Sequence, residues 1–190
     1  PFEPAANLPT LEEAEAGLIE QLREAVGIRL IAEVPLGAFL SGGVDSSTVV
    51  AMMAQVSKEP VNTCSIAFGE AEYNEADYAK AVADKFGCRH RVGDVDPNDH
   101  SLLDILAGLY DEPFADSSAM PTYRVCELAK KDVTVALSGD GGDENLAGYR
   151  RYGQYLDDLA TKARIPSALR SLLGGIGGLY PDSSLMPRAL

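Results

Sequence analysis

Ser41-Gly42-Gly43-Val44-Asp45-Ser46-Ser47 follows the apolar run Leu36-Gly37-Ala38-Phe39-Leu40 and leads into Ser46 to Val56, which carries Val49, Val50, Met52 and Met53. A short buried strand, a glycine loop and a helix in that order open a parallel α/β fold. The paired glycines let the backbone turn tightly and approach an anion closely. The helix start behind them offers unpaired N–H groups and the positive end of its dipole. Ser41, Ser46 and Ser47 add hydroxyl donors. Asp45 is foreign to a bare anion site, because a carboxylate repels phosphate. It fits if it carries Mg²⁺, a hard cation that favours oxygen ligands. No Lys follows the glycines, which excludes a Walker A loop. A bare Ser-Gly-Gly would be an ordinary strand-to-helix turn; the full run with these flanks favours a phosphate-binding reading.

Moving outward, Thr10-Leu11-Glu12-Glu13 has the form of a helix capping box. Ala14, Leu18, Leu22, Val26 and Leu30 then mark one buried helical face. After the loop helix, Val61–Phe68 is predicted as a strand. A helix follows, capped by Asn74, with Glu75 and Asp77 in its first turn, ending at Phe86 before Gly87. Arg89–Val95 reads as a third strand, Leu102–Leu109 and Pro121–Lys131 as helices, and Val133–Leu137 as a strand. That last strand runs into Ser138-Gly139-Asp140-Gly141-Gly142-Asp143-Glu144. Glu144 stands where a G-x-G-x-x-G fingerprint needs glycine, so a Rossmann dinucleotide loop is excluded. Alternating strands and helices predict right-handed crossovers and a parallel sheet with helices on both faces. Ligands of such sheets bind outside the carboxyl ends of the strands, where both glycine-rich loops would lie.

The 190 residues suit one domain, with 1–9 and 174–190 expected to be extended or loosely ordered ends. Sixteen Lys+Arg against 29 Asp+Glu leave a net charge of −13. That excess disfavours duplex DNA or RNA as a partner but not a nucleotide held through backbone N–H groups and a cation. Neither a membrane span nor a signal peptide is visible, which sets a cytoplasmic expectation. Cys64, Cys88 and Cys126 are scattered and are read as reduced, largely buried thiols. Asp94-x-Asp96-x-Asn98 starts like a calcium loop, but Pro97, Asp99 and Ile105 stand at the wrong positions. His90 and His100 are isolated, and His90 is read as a packed or nucleotide-edge residue rather than a metal ligand. Tyr149, Tyr152 and Tyr155 are spaced for one helical face and are read as core or interface packing, with a substrate role open for Tyr149.

The first loop resembles the signature of the ATP pyrophosphatases, which cleave ATP between its α and β phosphates. The second loop, with Val133-Thr134-Val135-Ala136-Leu137 before it and Gly148-Tyr149 after it, narrows the resemblance to asparagine synthetase. Val34-Pro35-Leu36-Gly37-Ala38-Phe39-Leu40, Thr63-Cys64-Ser65-Ile66-Ala67-Phe68, Glu72-Tyr73-Asn74-Glu75 and Asp111-Glu112-Pro113-Phe114-Ala115-Asp116 fit the same family. The resemblance implies an adenine nucleotide alpha-hydrolase-like (PP-loop ATPase) three-layer sandwich. It implies an ATP-dependent ligase of asparagine biosynthesis. Such an enzyme adenylates the aspartate side chain and releases pyrophosphate, and ammonia from a glutaminase domain then attacks.

Residue by residue, it implies ATP contacts from Phe39, Leu40, Ser41, Gly42, Gly43, Asp45, Ser46, Ser47, Ile66, Ser138 and Gly139. It implies Mg²⁺ held by Asp45 and Asp143, and a catalytic role for Asp140, where some relatives carry Glu. Without the family, Asp140, Asp143 and Glu144 would read as an acidic helix start. Asp116 and Ser117 are candidate substrate contacts, although the family's Ala-Asp-Pro-Ser is Ala115-Asp116-Ser117-Ser118 here. A homodimer is compatible with this reading. The sequence begins at Pro1 without the glutaminase domain and ends before a late family lysine. The expectation is a truncated synthetase fragment that binds ATP–Mg²⁺ weakly and does not turn over alone. The alternatives are an amidotransferase acting on another carboxylate and a non-catalytic nucleotide-binding module.

Overall fold

The computed structural model describes residues 8–68, 75–96 and 100–164. Readings that rested on Glu72 to Asn74, on Pro97 to Asp99, on the His100 side chain and on most of both chain ends lie outside these residues. The chain groups into two compact units, residues 1–140 and 141–190.

The first unit opens with α1 (Leu11–Arg29), whose start is fixed by the expected capping box. The Thr10 hydroxyl accepts the Glu13 N–H at 3.3 Å, and the Glu13 carboxylate accepts the Thr10 N–H at 2.8 Å. The predicted buried face holds only for the second half of α1. Val26 is buried, with Leu22 and Leu30 packed beside it, whereas Ala14 and Leu18 are exposed. Four-residue spacing puts side chains on one stripe, but the length of stripe covered depends on where the partner helix ends.

Next come β1 (Leu36–Phe39), α2 (Val44–Val56), β2 (Asn62–Phe68), α3 (Ala76–Phe86) and β3 (Arg89–Val95). A short 3₁₀ turn (His100–Leu102) then leads to α4 (Leu103–Leu109), α5 (Ala119–Ala129) and β4 (Val135–Leu137). Several boundaries differ from the sequence reading. α2 begins at Val44 and so takes Asp45 into its first turn. α3 is preceded by Glu75, and Gly87 ends it in the left-handed conformation, φ +64°. α5 starts two residues before Pro121, because a proline in the first helical turn lacks only an N–H that would be unpaired there. Val133 lies before β4, buried and packed beside Ala129 at the end of α5.

All strand pairs are parallel, in the order β3-β2-β1-β4. Side chains alternate between the faces, as strand geometry requires. Ala38 and Leu40 join Val26, Val50, Met53, Ala79 and Ala83 on the face covered by α1, α2 and α3. Phe39 and Cys64 point the other way, towards Val125, Leu128 and Ala129 of α5. The sheet therefore has helices on both faces, as expected. The chain leaves β1 for β2 and β3 on one side, then returns to β4 on the other. That reversal is the topological switch point, where sheets of this class open a crevice at their carboxyl ends.

The second unit contains α6 (Gly142–Leu146) and α7 (Arg150–Arg164). Core packing does not hold for two of the tyrosines. Tyr152 and Tyr155 are exposed, at 36% and 60% of their surface, on a helix whose described side chains are all exposed. Equal spacing along a helix makes a stripe without saying whether anything covers it.

Candidate nucleotide-binding site

The loops after β1 and β4 meet because those strands are neighbours, with Ala38 opposite Leu137. Gly42 adopts φ +88°, a left-handed backbone that a side chain rarely tolerates. It also presses against α3, since a Cβ built on it would lie 2.6 Å from Tyr78 Cβ and from the Ala79 nitrogen. Gly139, from the second loop, sits on the start of α2. A Cβ there would lie 2.6 Å from the Ser46 nitrogen and 2.9 Å from the Asp45 carbonyl carbon. Only glycine lets the second loop come this close.

Ser46 is buried and spends its hydroxyl inside the first loop. It lies 3.0 Å from Ser41 Oγ and 3.3 Å from the Gly43 carbonyl, and it accepts the Ser41 N–H at 3.2 Å. Ser41 Oγ in turn accepts the Gly43 N–H at 3.2 Å. These bonds preform the loop. Ser47 differs: its Oγ is buried and has no hydrogen-bond partner among the described residues. A buried hydroxyl left unpaired costs about 1–3 kcal/mol, so Ser47, unlike Ser46, contributes nothing through its hydroxyl to holding the loop. Asp45 is half-buried on the first turn of α2. In the second loop, Ser138 Oγ donates to Asp140 Oδ2 at 2.9 Å, which holds that exposed carboxylate back against its own turn.

Beside the first loop lies a cavity of about 360 Å³. The strand ends contribute Phe39, Leu40, Cys64 and Ile66, and α5 forms the opposite wall with Pro121, Thr122 and Val125. Burial pushes the Cys64 thiol up to about 11, so it is a neutral apolar surface here. The sequence had pointed to Phe39, Leu40, Ser41 and Ile66 but not to the α5 wall, Cys64, Ser65 or Glu75. The helical periodicity of α5 marks which side faces the sheet, but not which strand ends it faces. A larger groove of about 520 Å³ runs along β3 and α5, with Arg91, Arg124 and Lys131 interleaved with Asp94 and Glu127. It contains no residue of either glycine-rich loop.

His90 is packed as expected: its ring lies 2.9 Å from Thr63 Oγ1 and 3.3 Å from Ser65 Oγ, both hydroxyls being buried. Burial lowers its pKa, partly offset by the hydrogen bond to the Thr63 backbone. Cys64 is buried, but Cys88 is only half-buried and Cys126 is exposed on α5, so the reading of three buried thiols holds for one. Asp116 and Ser117 are exposed ahead of α5, and Asp116 Oδ1 accepts the Ser118 N–H at 2.8 Å, which lowers its pKa.

In the second unit, Asp143 and Glu144 lie in the first turn of α6. Glu144 accepts the Tyr149 hydroxyl at 2.5 Å, which holds the carboxyl below its usual range. The Arg151 guanidinium lies 4.1 Å from the centre of the Tyr149 ring.

The asparagine synthase family model matches residues 17–186, nearly the whole chain. The chain belongs to the asparagine synthase family. A relative from Methanocaldococcus jannaschii, named with the glutamine-hydrolyzing asparagine synthetases, is 44% identical over 171 residues, covering 84% of this chain and 33% of that protein. Asparagine synthetase (glutamine-hydrolyzing) 1 of Bacillus subtilis is 35% identical over 182 residues, covering 93% of this chain and 28% of that protein. The chain thus spans about a third of the length of these relatives. Among solved structures, an ammonia-dependent NAD synthetase from Campylobacter jejuni is similar with a TM-score of 0.49 at 14% identity, covering 70% of this chain and 60% of that one. Among the described residues, this asparagine synthase-family chain has no helix long and apolar enough to cross a membrane.

Proposed function

We propose that this chain binds ATP across its two glycine-rich loops and forms the adenylating part of an asparagine synthetase-type ligase. The observation that carries the reading is the seating of Gly139 on the start of α2. It brings Ser138 and Asp140 to the loop whose helix start offers N–H groups to an anion. The Ser47 hydroxyl is left to a ligand oxygen, and the apolar cavity between the strand ends and α5 takes the adenine. Membership of the family supports aspartate as the acid that attacks the α-phosphorus and expels pyrophosphate, after which ammonia attacks the acyl carbon and AMP leaves with loss of a proton from the nitrogen. The protein's contribution is to fix the reactants and to place donors where charge develops.

Asp45 fits a magnesium site, since its carboxylate is an oxygen donor at the rim of the phosphate loop. Asp143 is proposed as a second magnesium carboxylate on the family resemblance, and Asp140 as the acidic group serving adenylate formation. Bound Mg²⁺ supplies positive charge that stabilises the departing pyrophosphate.

Titration calorimetry of the folded chain with ATP and MgCl₂ tests the binding. Heat is expected for the wild type, and Asp45→Ala should lose the magnesium-dependent part of it. Equal, negligible heats from both proteins would sink the reading. The acceptor is tested by pyrophosphate release from the whole gene product with aspartate, glutamate or succinate. Release that does not depend on aspartate would move the assignment to another carboxylate.

A further inference from the structure

Among the described residues that line the apolar cavity, Glu75 carries the one charged side chain. Its place is set by α3, which it immediately precedes, and its carbonyl accepts the Ala79 N–H at 3.0 Å. Ala79 and Tyr78 are the residues against which Gly42 is pressed. The turn of α3 that carries Glu75 is therefore packed on the phosphate loop. Glu75 lines a mostly apolar cavity, with Cys64, Ile66 and Val125 among its walls and the hydroxyl residues Ser41, Ser65 and Thr122 as its other polar members.

An ionised carboxylate accepts hydrogen bonds and donates none. It repels phosphate, so it cannot serve the triphosphate directly. A nucleotide with its phosphates on the loop and its base between the strand ends and α5 puts its ribose at the join. The ribose 2′ and 3′ hydroxyls are donors, the complement of an acceptor placed there. We propose that Glu75 reads the ribose, so that the site selects ribonucleotides over deoxyribonucleotides. This inference rests on the nucleotide reading of the site given above.

The test is calorimetry with ATP, 2′-deoxyATP and 3′-deoxyATP in the presence of MgCl₂, on wild type, Glu75→Ala and Glu127→Gln. Glu127 lines the separate groove along β3 and α5 and serves as a charge-loss control. A hydrogen bond to a charged group is worth roughly tenfold or more in affinity. At least one deoxy analogue should therefore bind the wild type roughly tenfold more weakly than ATP. Glu75→Ala should bring all three ligands together by weakening ATP and any analogue that keeps the bonded hydroxyl, and Glu127→Gln should keep the wild-type order. The proposal is overturned if the wild type binds all three equally. It also falls if Glu75→Ala, shown folded by circular dichroism, keeps the full preference. Binding of ATP without ribose discrimination removes the Glu75 assignment and leaves the nucleotide reading standing. Absence of any nucleotide binding by the folded wild type removes both.

Discussion

Ser46 and Ser47 are adjacent serines with opposite assignments. Ser46 holds the loop together from inside, and Ser47 has a buried oxygen without a partner among the described residues. Stability and binding should therefore move apart on substitution. Ser47→Ala removes an unsatisfied polar atom, so urea unfolding should show it as stable as the wild type or up to about 1 kcal/mol more so. Its affinity for pyrophosphate should fall roughly tenfold in the same preparation. A loss of stability without a loss of affinity would mean that the hydroxyl serves the fold.

His90 gives a pH signature. Burial lowers its pKa below the ordinary 6.5, so the folded state favours the neutral ring between Thr63 and Ser65. Below 6.5 the unfolded chain binds the proton first, and folding stability falls as pH falls towards the folded value. Asp84 and Lys80 act on the ring with opposite signs. Urea unfolding at pH 7.5 and 5.5 should show a drop in the wild type that is smaller in His90→Gln. An unchanged acid drop would place its origin elsewhere.

At the scale of elements, α1 is decided by local chemistry at its start and by tertiary packing at its end. Its capping box closes as the sequence requires, yet burial begins only around Leu22. Gly17 lies in the exposed half, where an added Cβ would meet nothing within 4 Å. Glycine in a helix interior costs about 0.5–1 kcal/mol relative to alanine. Gly17→Ala should therefore raise the unfolding free energy by about that amount, measured by chemical denaturation. A destabilised variant would mean that this face of α1 is covered in solution. The element β4 teaches a different lesson, because Val133 looks like strand from its β-branched neighbours but is used to close the end of α5. A β-branched residue suits any half-buried surface, so propensity alone places the strand's start poorly.

For the whole molecule, the net charge of −13 sets a long-range field that no single residue carries. A nucleotide site in such a protein has to work through local N–H groups and a cation, against the long-range field. The chain should pass through a heparin column at low salt and be retained on an anion exchanger; heparin retention would reveal a basic face. The order of strands and helices and the family were both legible along the chain. Each depends on residues close in sequence, where periodicity, glycine spacing and helix starts act locally. The meeting of the two loops was not legible in the same way. It follows from β1 pairing with β4, which joins residues 36–38 to 135–137. The α5 wall of the cavity, the pressing of Gly42 on α3 and the place of Glu75 are of the same kind. Which segments have the glycine spacing and hydroxyls of a candidate phosphate loop was thus written along the chain, since backbone geometry and hydroxyl chemistry are local. Which of those segments lie side by side was left to the folded chain, because contacts between distant segments depend on how the sheet and helices pack.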